Sequence, residues 1–391
     1  MTKSKTRSSR PVGIFCADNH LDLYAWSSRP ELRGDSMWSF EYLVNFAIDN
    51  SLQFICLAGD NFEIRKPPSE VIQFFRAQCD RLAEASILLY FVQGQHCLAD
   101  PPWPVSTHDW PIHAHEKLID LPSGQLLYSL DWTPGDKLST KLKAIPSNTD
   151  IFMCHQVWLE LMGALRPCEG SFTQIPYAPV VFTGDYHECK TLKLTGESGQ
   201  VLTVYSPGST NMRKIDEPSQ KFFFTLEDND EWVRQTIPTR SVGVEVITCE
   251  EELEQFCDQW STGLQIAIPD VLPEHLRKPM LWFKFYDDIE GALRKAQAAI
   301  GEQAFLFPKL LTRESADEGI SLSHKQRAEV IEAGLAGCLK LLVPEDDPNY
   351  PVLYRLLESK DPAVEIQALR SERFSSEVEE EEELQYATNE L

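Results

Sequence analysis

Short apolar runs alternate with helix-like segments over the first hundred residues, and this pattern restricts the fold more than any other feature of the sequence. Residues 12–17, 53–58 and 87–92 are apolar and strand-sized, and the segments 38–50 and 69–85 between them have helical spacing of apolar residues. Ser69 is expected to cap the second of these helices. Strand–helix–strand units of this kind predict a mainly parallel sheet. In such sheets, functional groups gather beyond the carboxyl ends of the strands.

Residues that can bind metal ions follow five of the apolar runs. In chain order they are Asp18, His20, Asp60, Gln95, His96, His155, Asp185 and His187. Carboxylates and imidazoles suit ions such as Mn, Fe or Zn. A carboxylate such as Asp60 can bridge two ions, and two ions roughly 3.5–4 Å apart can bind a phosphate and activate a water molecule. A single Asp-x-His would be weak evidence, but five ordered strand ends predict a metal centre.

These motifs resemble the calcineurin-like metallophosphoesterase superfamily. They read Asp18-Asn-His20, Gly59-Asp-Asn-Phe-Glu63, Gly94-Gln-His96, His155 and Gly184-Asp-Tyr-His187. Within that superfamily, the Pro-Gly-Ser segment at 205–213 and the Lys-Phe-Phe-Phe run at 221–224 are similar to those of SbcD-type DNA nuclease subunits. The motif match covers residues 12 to about 226, and beyond them only the layout is similar.

The resemblance implies a four-layer α/β/β/α metallophosphoesterase sandwich with a smaller α/β capping domain and C-terminal helices. It implies two divalent metal ions, with Mn²⁺ expected and Mg²⁺ as the alternative. One ion would be held by Asp18, His20 and His187, with Asp60 bridging, and the other by Gln95, His155 and Asp185. His96 would be the histidine that binds no metal and acts on the scissile phosphate, by orienting it or by protonating the leaving oxygen.

This sequence departs from the superfamily pattern, and two of the departures fall on ligands assigned to the second ion. Gln95 replaces the usual Asn, and its amide oxygen reaches one methylene further. Asp185 replaces the usual first His of the last motif, and its harder carboxylate donor favours Mn²⁺ or Mg²⁺. Cys97 replaces the usual acid after the catalytic His, and Glu63 ends the second motif. These changes predict a second ion that is bound more weakly or chosen differently.

The chain is predicted to contain five parts. They are a basic disordered lead at 1–10, a metallophosphoesterase (nuclease) domain at 11–238, a capping or DNA-binding α/β domain at 239–320, helices at 321–373 that either cap the second domain or bind an ATPase partner, and an acidic disordered tail at 374–391. The segment 98–150 is rich in Pro and Trp and is expected to be irregular.

The net charge of −24 excludes a protein coated with basic surface for nucleic acid. DNA contact would have to be confined to a patch or mediated by metal ions. The resemblance implies DNA as substrate and an SbcC-type coiled-coil ATPase as partner, with a homodimer inside a heterotetramer. The chain itself has no Gly-x-x-x-x-Gly-Lys-Ser/Thr loop, so ATP hydrolysis would come from the partner.

The 10 cysteines form no Cys-x-x-Cys pair, which argues against zinc ribbons and favours reduced, intracellular thiols. No stretch approaches the roughly 20 apolar residues of a membrane span, and the polar N-terminus lacks the apolar region of a secretory signal. A cytoplasmic protein is therefore expected, bacterial or, if viral, in the host cytoplasm.

Three functions remain open from the sequence: a DNA nuclease subunit, a phosphoesterase acting on small phosphoesters, and a catalytically weakened scaffold. Metal stoichiometry and substrate size distinguish them.

A second His-x-His, at His113 and His115, has no partner acid at a suitable spacing and is expected at the surface or in contact with substrate. Arg213 and Lys214 could contact phosphate, but such a pair is more often solvated surface.

Overall fold

The computed structural model describes residues 9–21, 32, 34–163, 168–197, 199–263, 266–311, 350 and 353–355. The chain divides into two units, Met1–Lys309 and Leu310–Leu391. The predicted acidic tail, nearly all of the predicted C-terminal helices and most of the predicted N-terminal lead lie outside the described residues. Their boundaries, and those of the two folded domains, stay predictions.

The described part of the chain contains fifteen strands and seven α-helices. In chain order they are β1 (Pro11–Cys16), α1 (Asp35–Asp49), β2 (Phe54–Ala58), α2 (Ser69–Glu84), β3 (Leu88–Val92), α3 (Trp103–Thr107), β4 (Ile112–His113), β5 (Leu118–Asp120), β6 (Leu126–Leu130), α4 (Gly135–Lys143), β7 (Ile151–His155), α5 (Leu159–Met162), β8 (Val180–Gly184), β9 (Lys190–Thr195), β10 (Val201–Ser206), β11 (Lys221–Glu227), β12 (Trp232–Ile237), β13 (Val242–Ile247), α6 (Glu250–Ser261), β14 (Met280–Tyr286), α7 (Ala292–Ile300) and β15 (Phe305–Leu311).

Two six-stranded sheets form the centre of the first unit. The first has the order β12-β11-β1-β2-β3-β4, and the second has the order β5-β6-β7-β8-β10-β9. Strands β1 to β4 run parallel, with Ile14 opposite Ile55 and Ile55 opposite Leu89. Strands β6, β7, β8 and β10 also run parallel, and antiparallel strands lie at the ends of the sheets. The parallel core predicted from the alternating sequence is therefore confirmed.

The two sheets pack face to face, and helices cover their outer faces. Phe15, Phe54 and Phe182 fill the space between the sheets. Helices α1 and α2 bury residues such as Phe40 and Phe75 on the first sheet, and the second sheet is covered by α4, α5 and a short 3₁₀ turn. All five residues of β2 are buried, as expected for a parallel strand covered on both faces. The four-layer α/β/β/α sandwich predicted from the sequence is confirmed.

Two local predictions were wrong. The segment 98–150, expected to be irregular, contains β6, which lies inside the second sheet beside β7. β6 is a buried run of only five residues, which is too short for its periodicity to distinguish a strand from an apolar loop. Ser69 was expected to cap α2, but it is the first residue of that helix. The N-cap is Pro68, with no side-chain cap hydrogen bond.

A third, three-stranded sheet of order β13-β14-β15 carries α6 and α7 and has its own apolar core. The buried Arg240 precedes this sheet, and its guanidinium makes two 2.8 Å hydrogen bonds to the Asp35 carboxylate at the start of α1. Arg240 also donates to the Lys278 carbonyl, so one cation links the sandwich to the smaller sheet.

Among the described helices, none combines the length and apolarity that crossing a bilayer requires.

Candidate metal centre

The carboxyl ends of strands from both large sheets meet at one edge of the sandwich. Strands β1, β2 and β3 of the first sheet and β7 and β8 of the second end there. The side chains delivered to this edge are called the strand-end cluster, which comprises Asp18, His20, Asp60, Gln95, His155, Asp185 and His187. Within it, two groups of three residues place their donor atoms within 4.8 Å of one another, as a metal ion requires.

The first group consists of Asp18, His20 and His187. The Nε2 atoms of His20 and His187 are 3.2 Å apart, and they lie 3.7 and 3.9 Å from Asp18 Oδ1. Asp18 and His20 are fully buried, whereas the His187 side chain is about one quarter exposed. This is the set that the sequence assigned to the first ion.

The second group consists of Asp18, Asp60 and His155. His155 Nε2 lies 3.3 Å from Asp60 Oδ2 and 3.9 Å from Asp18 Oδ1. Asp185 Oδ1 is 3.8 Å from the same nitrogen but does not complete a third group. Asp18 is shared by the two groups, and Asp60 Oδ2 is also 4.0 Å from His20 Nε2. Asp60 therefore belongs to the second group and also approaches the first, as the predicted bridging ligand would. The assignment of each ligand stays a prediction.

The backbone at the strand ends turns sharply to bring these side chains inward. Positive φ angles, rare for residues other than glycine, occur at Asp18, His20, Asp60 and Asp185. A Cβ atom at Gly59 would overlap the His155 imidazole, and one at Gly94 would overlap the Asp60 carboxylate. Both glycines let the chain pass close to the cluster, so a larger residue at either position would displace a candidate ligand.

The donor atoms of the cluster fit a divalent ion. His155 Nε2 is buried and faces the Asp60 carboxylate, whose Oδ2 lies 3.3 Å away. The other ring nitrogen, Nδ1, lies 2.9 Å from the Ala58 carbonyl, to which it can donate. This arrangement, in which one ring nitrogen is oriented by the backbone and the other faces a group of carboxylates, is typical of metal-binding histidines. The Gln95 amide oxygen is also buried and unpartnered among the described residues.

The charges in the cluster are strongly coupled. Burial raises the pKa of Asp18 to about 6. Burial also raises the pKa of Asp60, but His155 and His20 outweigh it and hold that pKa well below its usual range. Burial and the Arg213 guanidinium lower the pKa of His20 far below its ordinary value. His20 is thus held in the neutral form that binds metal ions.

His155 has the opposite balance, and this predicts proton release on metal binding. Burial lowers its pKa, but the carboxylates of Asp60 and Asp18 outweigh burial and raise it to about 10. The protonated ring therefore stabilises the metal-free fold fully below pH 6.5, and this contribution is lost as the pH rises through about 10. A metal ion needs the neutral ring, so binding at pH 7.5 is expected to release about one proton per chain from His155.

Calorimetric titration of the metal-free protein with Mn²⁺ in two buffers of different ionisation enthalpy measures this proton. The His155→Gln variant serves as the comparison, because it removes the titrating ring and keeps a polar side chain. Proton release by the variant equal to that of the unmodified protein would contradict the assignment.

A carboxylate that the sequence did not identify orients His187. Glu217 Oε1 lies 3.1 Å from His187 Nδ1, and Glu217 Oε2 is 3.0 Å from the buried Lys221 ammonium. Lys221 also donates to Ser209 Oγ at 2.9 Å. Burial alone would raise the pKa of Glu217, but His187 and Lys221 lower it to about 2. The one feature of the sequence that pointed to this contact was a lysine, Lys221, at the start of a buried apolar strand.

A second unforeseen feature is an ion pair beside His20. Glu63 Oε2 lies 3.0 Å from His20 Nδ1, and the Arg213 guanidinium contacts both the Glu63 carboxylate and His20 Nδ1, the latter at 3.1 Å. Arg213 is mostly buried, so its expected place on the solvated surface was wrong. The acid at the end of the second motif and the arginine after the Pro-Gly-Ser segment thus form one ion pair beside the cluster.

The two departures from the superfamily pattern contact each other. The Gln95 amide nitrogen donates a hydrogen bond to Asp185 Oδ1. The backbone N–H of Asp185 in turn lies 3.1 Å from both carboxylate oxygens of Asp18. The Gln95 side chain is one methylene longer than the usual Asn and so reaches Asp185, whose side chain is shorter than the usual His. The two changes therefore compensate each other in length and polarity.

His96 lies outside both groups of candidate ligands. Its backbone N–H donates to Asp60 Oδ1 at 3.0 Å, and its ring Nδ1 is 3.1 Å from the Glu63 carbonyl. The residue is exposed, unlike the buried donors around it. With Nδ1 engaged by the backbone, the other ring nitrogen is left to face a substrate. This position agrees with the predicted non-ligand histidine, whose role stays a proposal.

The second His-x-His has an acid partner after all. His113 Nε2 lies 2.9 Å from both carboxylate oxygens of Asp131, and His115 Nδ1 accepts a 3.0 Å hydrogen bond from the Asp131 backbone. The expectation of no suitable acid was wrong, because Asp131 follows β6, the strand that the sequence pattern concealed.

The four layers of the sandwich are those that the resemblance to calcineurin-like metallophosphoesterases implies. No family model matches the chain. The DNA double-strand break repair protein Mre11 of Methanosarcina mazei is 26% identical over 242 residues, which cover 58% of this chain and 38% of the relative. Mre11 of Methanosarcina acetivorans is 24% identical over 240 residues, covering 58% of this chain and 39% of the relative.

A third relative is the uncharacterized metallophosphoesterase YhaO of Bacillus subtilis. It is 30% identical over 242 residues, covering 54% of this chain and 56% of the relative. The matches therefore span well under two thirds of each relative's own length. They confirm the resemblance to metallophosphoesterases and to the SbcD-type nuclease group that includes Mre11.

Proposed function

We propose that this chain is a metal-dependent phosphodiesterase that cleaves DNA, the nuclease subunit of a DNA end-processing complex. The observation that carries the proposal is the pair of candidate ligand groups at the strand ends, which share Asp18 and include the fully buried His155. Two adjacent ion positions surrounded by carboxylates and imidazoles suit a phosphate ester better than any neutral substrate.

The proposed ligands of the first ion are the first group, and those of the second ion add Gln95 and Asp185 to His155 of the second group. One ion would be held by Asp18, His20 and His187, with Asp60 between the ions, and the other by His155, Gln95 and Asp185. Bound divalent ions would neutralise the phosphate charge and lower the pKa of a water molecule that attacks phosphorus. Manganese is the proposed metal, because the Asp185 carboxylate replaces the softer nitrogen of a histidine and Gln95 offers an amide oxygen.

The residues around the ions have separate tasks in this proposal. Glu217 orients His187 through its Nδ1 atom, and such orienting partners typically change metal affinity or activity by about 10–100-fold when removed. His96 Nδ1 contacts the Glu63 carbonyl, which leaves the other ring nitrogen to orient the phosphate and protonate the leaving oxygen.

DNA is the proposed substrate because two relatives are named as DNA double-strand break repair proteins. The net charge of −24 requires the DNA to be held mainly at the metal centre and by a partner. We propose an SbcC-type coiled-coil ATPase as that partner, in an assembly with two copies of this chain. The same acidity favours the second candidate function, hydrolysis of small phosphoesters that need no extended basic surface.

Cleavage of a short linear DNA by the purified chain in Mn²⁺ tests the proposal, with EDTA as the control and p-nitrophenyl phosphate as a small substrate. We expect metal-dependent DNA cleavage that EDTA abolishes. Hydrolysis of p-nitrophenyl phosphate without DNA cleavage would support the second candidate. Failure on both substrates, repeated with the ATPase partner present, would overturn the proposal and leave the catalytically weakened scaffold.

A further inference from the structure

A cavity of about 540 Å³ lies at the carboxyl edge of the sandwich and has no role in the proposed chemistry so far. Its size is within the range of small-molecule sites. Its lining residues come from the ends of β3, β4 and β6 and from the loop after the His96 motif: Gln93, Leu98, Ala99, Asp100, Pro102, His113 and Asp131.

The polar wall of this cavity is rigidly built. Asp131 is 6% exposed, and its carboxylate accepts hydrogen bonds from the Gln93 backbone at 2.8 Å and from the Gln93 side chain at 3.3 Å. It also lies 2.9 Å from His113 Nε2. The His113 ring stacks on Phe91, with centroids 5.0 Å apart and an interplanar angle of 18°. These contacts fix both polar groups before any ligand arrives.

This wall is connected directly to the strand-end cluster. Gln93 is separated from Gln95 only by Gly94, on the loop that also carries His96. On the other side, Gln156 follows His155 and donates to the Asp131 carbonyl at 3.3 Å. The cavity therefore adjoins the proposed metal centre through two of the strand ends that form it.

The chemistry of the lining excludes a phosphate group as the ligand. Two carboxylates line the cavity, Asp100 and Asp131, and none of the lining residues described is a lysine or an arginine. Leu98 and Pro102 add an apolar wall. A planar, uncharged group with hydrogen-bond donors on its edge fits this surface. Nucleobases have these properties, and carboxylates accept hydrogen bonds from exocyclic amino groups such as N4 of cytosine.

We propose that this cavity binds the nucleobase of a nucleotide that flanks the scissile phosphate, with His113 and Asp131 contacting the edge of the base. The inference rests on the proposed function, because it places a nucleotide next to a phosphate bound at the metal centre. It gives the enzyme a contact to one side of the cleaved bond and so a preference for nucleotides over simple phosphate esters.

Dinucleotides with a single phosphodiester bond test this site in the purified full chain with Mn²⁺. Three substrates are compared: one with adenine on both sides, one abasic on the 5′ side and one abasic on the 3′ side. Loss of the base on one side only is expected to lower kcat/KM about ten-fold, a typical effect of a base contact.

The His113→Ala variant completes the test. Its kcat/KM for the intact dinucleotide is expected to be about ten-fold lower than that of the unmodified chain. Its kcat/KM should fall no further when the base on the sensitive side is absent. His108→Ala is the matched control, because His108 also pairs with an acid, lying 3.1 Å from Asp80, but does not line the cavity. The control is expected to discriminate between the substrates as the unmodified chain does.

Equal cleavage of all three dinucleotides by the unmodified chain would overturn the inference and leave the proposed function intact. A His113→Ala variant that loses the same factor on every substrate would also overturn it, since that pattern indicates a structural role. Absence of cleavage of any dinucleotide or linear DNA would overturn the proposed function itself, and the inference with it. The abasic comparison needs no variant, so it holds even if His113→Ala fails to fold.

Discussion

Asp60→Asn is expected to abolish phosphodiester hydrolysis and to remove at least one of two bound metal ions. The carboxylate lies between both groups of the strand-end cluster, 3.3 Å from His155 Nε2 and 4.0 Å from His20 Nε2. Asparagine keeps an oxygen for the hydrogen bond from the His96 backbone, so the loop should stay in place. It removes the negative charge that would balance the bound ions and the carboxylate that would bridge them, so hydrolysis should fall below detection.

Asp49→Asn is the matched control, because Asp49 is an exposed acid at the end of α1 and lies outside the cluster. Initial rates of DNA cleavage and the metal content after gel filtration measure both effects. An Asp60→Asn variant that cleaves DNA at the rate of the control and keeps its full metal content would show that Asp60 is not a bridging ligand.

His96→Ala is expected to lower kcat by about 10²–10⁴-fold while metal binding is retained. His96 is exposed and lies outside both ligand groups, so its loss should leave the ions in place. The Glu63 carbonyl at 3.1 Å from Nδ1 leaves the other ring nitrogen to serve the leaving oxygen. This split between lost turnover and retained metal distinguishes a catalytic residue from a ligand.

Single-turnover cleavage and calorimetric Mn²⁺ titration of the same preparation separate the two effects. His108→Ala again provides the control for removal of a histidine. Loss of metal binding together with activity would make His96 a ligand and contradict its proposed role. Full activity of the variant would exclude it from the chemistry altogether.

Much of the sandwich could be predicted from the sequence because parallel strands covered on both faces form unbroken apolar runs. β1, β2 and β3 were all found in this way, and their carboxyl ends gave the residues that the structure brings together. The shared edge of a parallel sheet converts positions far apart in the chain into neighbours. The candidate ligands could be predicted from the place where each apolar run ends, without any information on helix packing.

The groups that orient the cluster could not be predicted, because they come from loops and edges without a periodic pattern. Glu217 reaches His187 across 30 residues, and Arg213 reaches Glu63 across 150. Asp131 stayed hidden because β6 has only five residues and lies in a segment rich in Pro and Trp. Such contacts depend on tertiary packing, which spacing along the chain does not encode.

The contact between Gln95 and Asp185 changes how the departures are understood. Taken singly from the sequence, each weakens the second ion position. In the structure the two side chains hydrogen-bond to each other beside His155, so they form a paired replacement for the usual Asn and His. A paired replacement is consistent with a second ion that is kept, held by oxygen donors, rather than lost.

The number of Mn²⁺ ions bound by the metal-free chain tests the central claim most directly. Calorimetric titration, checked by metal analysis of the dialysed protein, is expected to give two ions per chain, with fewer than two for Asp60→Asn. Binding of no ion, or of one ion that is unaffected by the Asp60 substitution, would contradict the two-ion centre on which the proposed phosphodiesterase depends.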